Sequence, residues 1–272
     1  MQGLKYLQKI FESHQVNNSL KDFYLSDPIW FPKKFKDKND IEVAAFIAAI
    51  FAIGPRYAII RSLEKIFNEL GESPYNAIKS FDYVWLLKKM DGHVQFAYKN
   101  ITGNDIVQIL FALKSLLKRR GTIRNAIQQK INSDVIINHG VYHILTGLLE
   151  EMKAFEIPSQ LGGGLTPRAS ALLASPKQGS ACKRMNMFLR WMTRKDEIDF
   201  GFYDWLGTDK LIIPLDVNVS RAARRLKLTK RRTDNWKTAV EITENLKQLD
   251  PIDPVKYDVP LFLYGIELRK GE

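Results

Sequence analysis

Residues 179–194 read GSACKRMNMFLRWMTR, and within them Met185, Phe188, Leu189 and Met192 fall at the i, i+3, i+4, i+7 spacing of one buried helical stripe. The face opposite that stripe carries Lys183, Asn186, Arg190 and Arg194, a basic row that starts in the first turn. The same spacing recurs outward along the chain, at Leu4, Leu7, Ile10, Phe11 and again at Ile106, Ile109, Leu110, Leu113, Leu117. It predicts further helices over about 40–53, 55–70, 81–90, 122–131, 134–154, 180–194, 217–226, 235–248 and 254–268. Asn104, Ser180 and Asp253 read as caps, with Pro254 at a first helical position, and Pro260 predicts a kink near Val259. No stretch alternates with period two for long enough to make a sheet. The apolar run Leu211-Ile212-Ile213-Pro214-Leu215 reads as a buried connector, because Pro214 cannot donate to a strand ladder. The predicted fold class is all-α.

A chain of 272 residues exceeds one small core and suits two lobes. The long irregular stretch 157–179, with Gly162-Gly163-Gly164, Pro158, Pro167 and Pro176, divides it into residues 1–156, a connecting loop 157–179, and a region 180–272, with lobes free to interleave. With 45% hydrophobic residues against 26% charged, the composition excludes disorder as the main state. Cys182 is the single cysteine, which excludes an internal disulfide, a four-thiolate zinc site and an iron–sulfur cluster, and points to a reducing compartment. The start, MQGLKYLQKIFESHQ, is amphipathic and lacks a signal-peptide core, and the run Ile41 to Ile53 is too short to span a bilayer. The expectation is a cytoplasmic protein with no membrane partner; oligomeric state stays open.

A net charge of +11 concentrates polyanions around the protein and makes nucleic acid the leading partner class. The charge gathers in short clusters, Lys33-Lys34-Phe35-Lys36, Lys118-Arg119-Arg120 and Lys227 to Arg232, each of which is either a solvated face or a phosphate contact. Trp30 and Phe31 beside the first cluster either stack a base or belong to a core. His139 and His143 lie four apart on a predicted helix, yet no third ligand accompanies them and no metal site is assigned.

Two residues carry candidate chemistry. A lysine in the first turn of a helix meets the positive end of the helix dipole, which disfavours its protonated form and favours the free amine that Schiff-base formation needs. Lys183 is therefore a candidate nucleophile, or else a solvent-facing or phosphate-binding cation. Asp216 occupies an N-cap position in 211-LIIPLDVNVSRAARRLKL-228, and a carboxylate rising from an apolar connector can also act as a general base or face a positively charged sugar. The two roles of Asp216 are compatible.

The tracts GSACKRMNMFLRWM, IIPLDVNVSRAARRL and DPIDPVKYDVPLFLYGI, with DPIWFPKKF and DIEVAAFIAAIFAIG upstream, resemble the bacterial domain-of-unknown-function 2400 family over nearly the whole chain. The C-terminal half of that pattern is similar to the helix-hairpin-helix DNA glycosylases, in which a lysine at a helix start and an aspartate in a "Val-Asp-x-x-Val-x-Arg" tract form the catalytic pair. Leu215 to Arg221 supplies the aspartate tract here and Lys183 the lysine; their separation of 33 residues resembles the archaeal 8-oxoguanine glycosylase branch. The family's Gly-x-Gly hairpin is present only as Lys177-Gln178-Gly179-Ser180-Ala181, with one glycine. The resemblance implies a two-lobed helix-hairpin-helix glycosylase-like fold and a base-excision glycosylase and abasic-site lyase acting on duplex DNA through Lys183 and Asp216, without cofactor. It also implies nucleic-acid contacts from Gly179, Ser180, Arg184, Asn186, Arg190 and Arg221. The lesion, and DNA against RNA, stay open. The alternative is a non-catalytic nucleic-acid-binding protein on the same scaffold.

Overall fold

The computed structural model describes residues 2–16, 27–91, 101–131, 140–154 and 163–271. These form thirteen helices: α1 Gln2–Val16, α2 Lys38–Ile50, α3 Arg56–Leu70, α4 Pro74–Ser80, α5 Tyr83–Asp91, α6 Gly103–Arg120, α7 Ile123–Ile131, α8 Gly140–Lys153, α9 Pro167–Leu172, α10 Lys183–Thr193, α11 Val217–Arg225, α12 Trp236–Leu246 and α13 Asp258–Lys270. No strand forms among the described residues, where Ser180 and Asn235, and Lys195 and Phe200, pair as isolated bridges. The protein is all-α. No described helix is long and apolar enough to cross a membrane.

The chain divides into two compact units, one of residues Ser26–Ser175 and the other of α1 together with Pro176–Glu272. In the first, α2 is the core. Its residues Ile41 to Ile50 are all buried, Asp40 and Glu42 among the buried set, and they pack against the 3-10 turns Pro28–Trp30 and Pro32–Lys34 and against α4. Each buried carboxylate serves the start of another helix. Asp40 Oδ1 accepts from Ser73 Oγ and Tyr75 N at 2.9 Å, and the Glu42 carboxylate accepts from Ile123 N and Arg124 N at 2.9 Å, so both charges are spent on backbone donors that have no intrahelical partner. Across α6, Asp105 and Gln108 anchor the chain at 164–166: Gln108 exchanges bonds with Gly164 O and Thr166 N, and Thr166 Oγ1 donates to Asp105.

Several predicted boundaries move. The cap of α6 is Thr102 and not Asn104, because Thr102 and Asp105 form a reciprocal capping box. The predicted loop 157–179 contains α9, which starts at Thr166-Pro167 with Thr166 Oγ1 accepting from Ala169 N; α4 starts in the same way at Ser73-Pro74. Pro260 produces no interior kink: the 3-10 turn Pro254–Tyr257 precedes α13, which places Pro260 in the helix's first turn, where its missing N–H is not needed. Phe31 is a core residue stacked on Phe67, whereas Trp30 stays exposed.

The second unit is built around the pair α11 and α13. Leu215, Val219, Ala222 and Ala223 share a core with Ile242 and Leu246 of α12, Tyr257 and Leu261, and Leu7 of α1. The backbones of α11 and α13 approach so closely that a Cβ at Gly265 would collide with the Asn218 carbonyl. The run 211–215 enters this core without strand pairing, as the connector reading expects, and Ile213 N finds Thr243 Oγ1 at 3.0 Å.

Candidate active site

The approach to α10 is a tight backbone path. After the 3-10 turn Pro176–Gln178, Gly179 takes φ +80°, a left-handed conformation that a side chain would strain, and its N–H donates to Pro176 O at 2.9 Å while its carbonyl accepts from Trp236 N. Ser180, predicted as the cap, lies two residues before the true one. Its Oγ accepts from Cys182 N, and Cys182 itself is the N-cap, at φ +48°. Lys183 is thereby the first residue of α10.

Lys183 Nζ lies 3.4 Å from Asp216 Oδ2. The two oxygens of Asp216 have separate duties, since Oδ1 accepts from Asn218 N and Val219 N, both at 2.9 Å, and so caps α11. About a third of the Lys183 side chain is exposed, against 13% of Asp216. Of the two side chains, that of Lys183 is the more exposed.

A third charged group, which the sequence reading did not assign, completes the cluster. Asp258 is the first residue of α13 and is buried, and Arg190 Nη1 donates to its Oδ2. Burial pushes the Asp258 carboxyl up to about 6; Arg190 opposes the rise, the Asp216 carboxylate adds to it and Lys183 lowers it. The starts of α10, α11 and α13 therefore bring Lys183, Asp216 and Asp258 within electrostatic reach of one another. Each start is the positive end of a helix.

The model of a protein family described as a protein of unknown function (DUF2400) matches residues 27–267. The chain belongs to that family. No curated protein matches it, and no solved structure does. The match takes in Lys183, Asp216 and Asp258 and begins after α1.

In this DUF2400 chain the basic row expected on the outer face of α10 is not an outer face. Asn186 and Arg190 are 1% and 5% exposed. Arg190 binds Asp258 and, through Nη2 at 3.5 Å, Asp199; Arg194 binds Asp253, Asp199 and Asp196 at 2.6 to 2.9 Å. Asn186 Nδ2 donates to Ala181 O, while its buried Oδ1 has no donor among the described residues. Arg184 is half-buried, and burial pulls its guanidinium down to about 10, still cationic at neutral pH. Arg221 Nη1 spans the α11–α13 crossing, donating to Asn218 Oδ1 and Gly265 O. Of the expected nucleic-acid contacts, Gly179 is exposed and Ser180, Arg184 and Arg221 are half-buried.

The charge clusters divide. Arg119, Arg120 and Lys130 all engage Glu151, whereas Lys227, Lys230 and Arg232 are exposed. His139 lies outside the described residues, and His143 sits edge-on to Tyr142.

Proposed function

We propose that this DUF2400 chain is a helix-hairpin-helix type DNA glycosylase and abasic-site lyase, with Lys183 as nucleophile and Asp216 as its carboxylate partner. The observation that carries the reading is the 3.4 Å approach of a partly exposed lysine at the first position of α10 to the free oxygen of the capping aspartate. The net charge of +11 suits a duplex partner.

In this mechanism a damaged nucleotide, turned out of the stack, presents C1′ to Lys183. The Nζ–C1′ bond forms as the glycosidic C1′–N bond breaks, and the electron pair leaves with the base, which takes up a proton. Asp216 faces the positive charge that develops on the sugar. The adduct nitrogen then loses a proton, C1′–O4′ opens with O4′ gaining a proton, and an imine joins the sugar to Lys183. Loss of a C2′ proton expels the 3′ phosphate.

The test is borohydride trapping on duplexes carrying an abasic site or an oxidised purine. Wild type should give a covalent adduct, and Lys183→Gln should abolish it while duplex affinity stays nearly unchanged, because glutamine cannot form an imine and the other cations still hold the backbone. Trapping by Lys183→Gln at the wild-type level would assign the nucleophile elsewhere. Absence of any adduct with either protein, alongside retained duplex binding, would leave the non-catalytic binder as the reading.

A further inference from the structure

We propose that the loop between α11 and α12, together with the first turn of α12, is the surface that grips the phosphate backbone of a duplex, through Lys230, Arg232 and Lys237. The inference rests on the DNA reading above for the identity of the partner and on the build of this loop for the place.

Residues 227–237, KLTKRRTDNWK, carry five cations against one carboxylate, Asp234. Side chains of the flanking helices fasten this loop. Arg224 of α11 donates from Nε to Arg231 O at 2.8 Å and pairs through Nη2 with Asp234, whose Oδ1 also accepts from Ser220 Oγ at 2.6 Å. From α12, Glu241 pairs with the Arg231 guanidinium at 2.6 Å, Asn245 Nδ2 donates to Leu228 O, and Thr238 Oγ1 donates to Thr233 O. The carboxylate and one of the five cations are thereby used inside the loop. Lys227, at φ +61°, turns the chain out of α11. Lys230, Arg232 and Lys237 are exposed, and no carboxylate among the described residues pairs with them. Cations carried on a backbone that is already fixed lose less freedom on binding than cations on a loose tail.

The loop also stands beside the candidate active site. Asn235 forms the antiparallel bridge with Ser180, and Trp236 N donates to Gly179 O at 3.2 Å, so the end of the loop lies against the approach to α10. Three residues span at most about 11 Å, which places Arg232 and Lys183 each within that distance of the bridge. The loop and the amine therefore fit inside one turn of B-DNA, about 34 Å long. The turn before α10 is the weaker anchor for a phosphate, because the Gly179 N–H is spent on Pro176 O and the Cys182 N–H on Ser180 Oγ. Side-chain cations of the neighbouring loop supply the grip, and Lys183 is left for the chemistry.

The experiment measures the affinity of a labelled, undamaged duplex by fluorescence anisotropy. The triple variant Lys230→Gln, Arg232→Gln, Lys237→Gln should bind about a hundredfold more weakly than wild type at about 0.1 M salt, since it forfeits the counter-ion release of three contacts. A control triple, Lys5→Gln, Lys9→Gln, Lys270→Gln, removes the same charge from exposed positions of the same unit and should lose less than about threefold. Lys230→Arg, Arg232→Lys, Lys237→Arg keeps the charge and should bind nearly as wild type does. Equal weakening by the two Gln triples overturns the proposal, because net charge and not its place would then govern binding. Weak binding by the charge-keeping triple overturns it as well, since structure and not charge would then be at fault. In borohydride trapping on an abasic-site duplex, the loop triple should raise the protein concentration needed for half-maximal adduct rather than lower the maximal rate. If wild type traps nothing but the loop triple alone loses the duplex, the glycosylase reading falls and the binding surface stands. Trapping by wild type with the two Gln triples binding alike removes the loop and leaves the glycosylase reading.

Discussion

Asp216 and Asp258 begin neighbouring helices in different surroundings: Asp216 caps α11 through Oδ1, and Asp258 is buried against Arg190. Asp216→Asn should leave the fold nearly intact, because asparagine caps a helix about as well as aspartate. It should slow excision of a damaged base more than it slows trapping on a preformed abasic site, since the aldehyde reacts without cleavage of a glycosidic bond. Measuring both rates on matched duplexes decides this, and equal slowing would remove Asp216 from the bond-breaking step. Asp258 makes a separate claim on stability. Its folded carboxyl is raised from 3.8 to about 6, so the native state binds its proton more readily than the unfolded chain does. Its favourable contribution is then full below about pH 3.8 and is lost as pH rises through 6. The stability difference between wild type and Asp258→Asn should fall by about 3 kcal/mol from pH 4 to above pH 6. Urea unfolding of both proteins across that range measures it, and a difference that grows with pH would contradict a raised carboxyl.

At the level of helices, the α11–α13 crossing holds two of the three charges in register, and Gly265 sets its spacing. Gly265→Ala should push α13 away from the Asn218 carbonyl, at a cost of about 1–3 kcal/mol, although alanine is the better helix former. Thermal unfolding should show the loss; an unchanged or higher melting temperature would mean the crossing has slack. Periodicity makes the long helices legible because three or more turns leave room for the apolar stripe to repeat. It passed over α4 and α9, whose seven and six residues hold under two turns, and there only the Ser73-Pro74 and Thr166-Pro167 starts were readable. For α10 the stripe is legible in the sequence and the burial of the opposite face is not. The spacing says which side is apolar, not that the other side meets water, and the carboxylates that bury Arg190 come from Asp199 and Asp258. Lys183 and Asp216 were legible from tracts with a known pattern. Asp258 lies in a quoted tract too, but Asp253-Pro254 takes the cap reading five residues earlier, and only the fold seats Asp258 against Arg190 of α10.

Across the whole molecule, the excess of eleven positive charges is shared by both units, and much of the basic inventory is already answered within the protein. Glu151 holds three cations, Asp199 and its neighbours hold Arg190 and Arg194, Asp234 holds Arg224, and Glu241 holds Arg231. A cation matched by a carboxylate contributes little to the release of counter-ions from DNA, because its own field is cancelled at short range. The salt dependence of duplex binding should therefore be set by exposed residues such as Lys230 and Arg232 and not by Lys183, whose charge Asp216 answers. In fluorescence anisotropy with a labelled duplex, the logarithm of affinity should fall linearly with the logarithm of salt, by about 0.9 for each phosphate neutralised. Lys230→Gln and Arg232→Gln should each make that slope shallower by about one where the residue meets a phosphate, whereas Lys183→Gln should leave it unchanged. Binding that ignores salt would remove DNA as the partner, and a slope that shifts with Lys183→Gln alone would make Lys183 a phosphate contact rather than the proposed nucleophile.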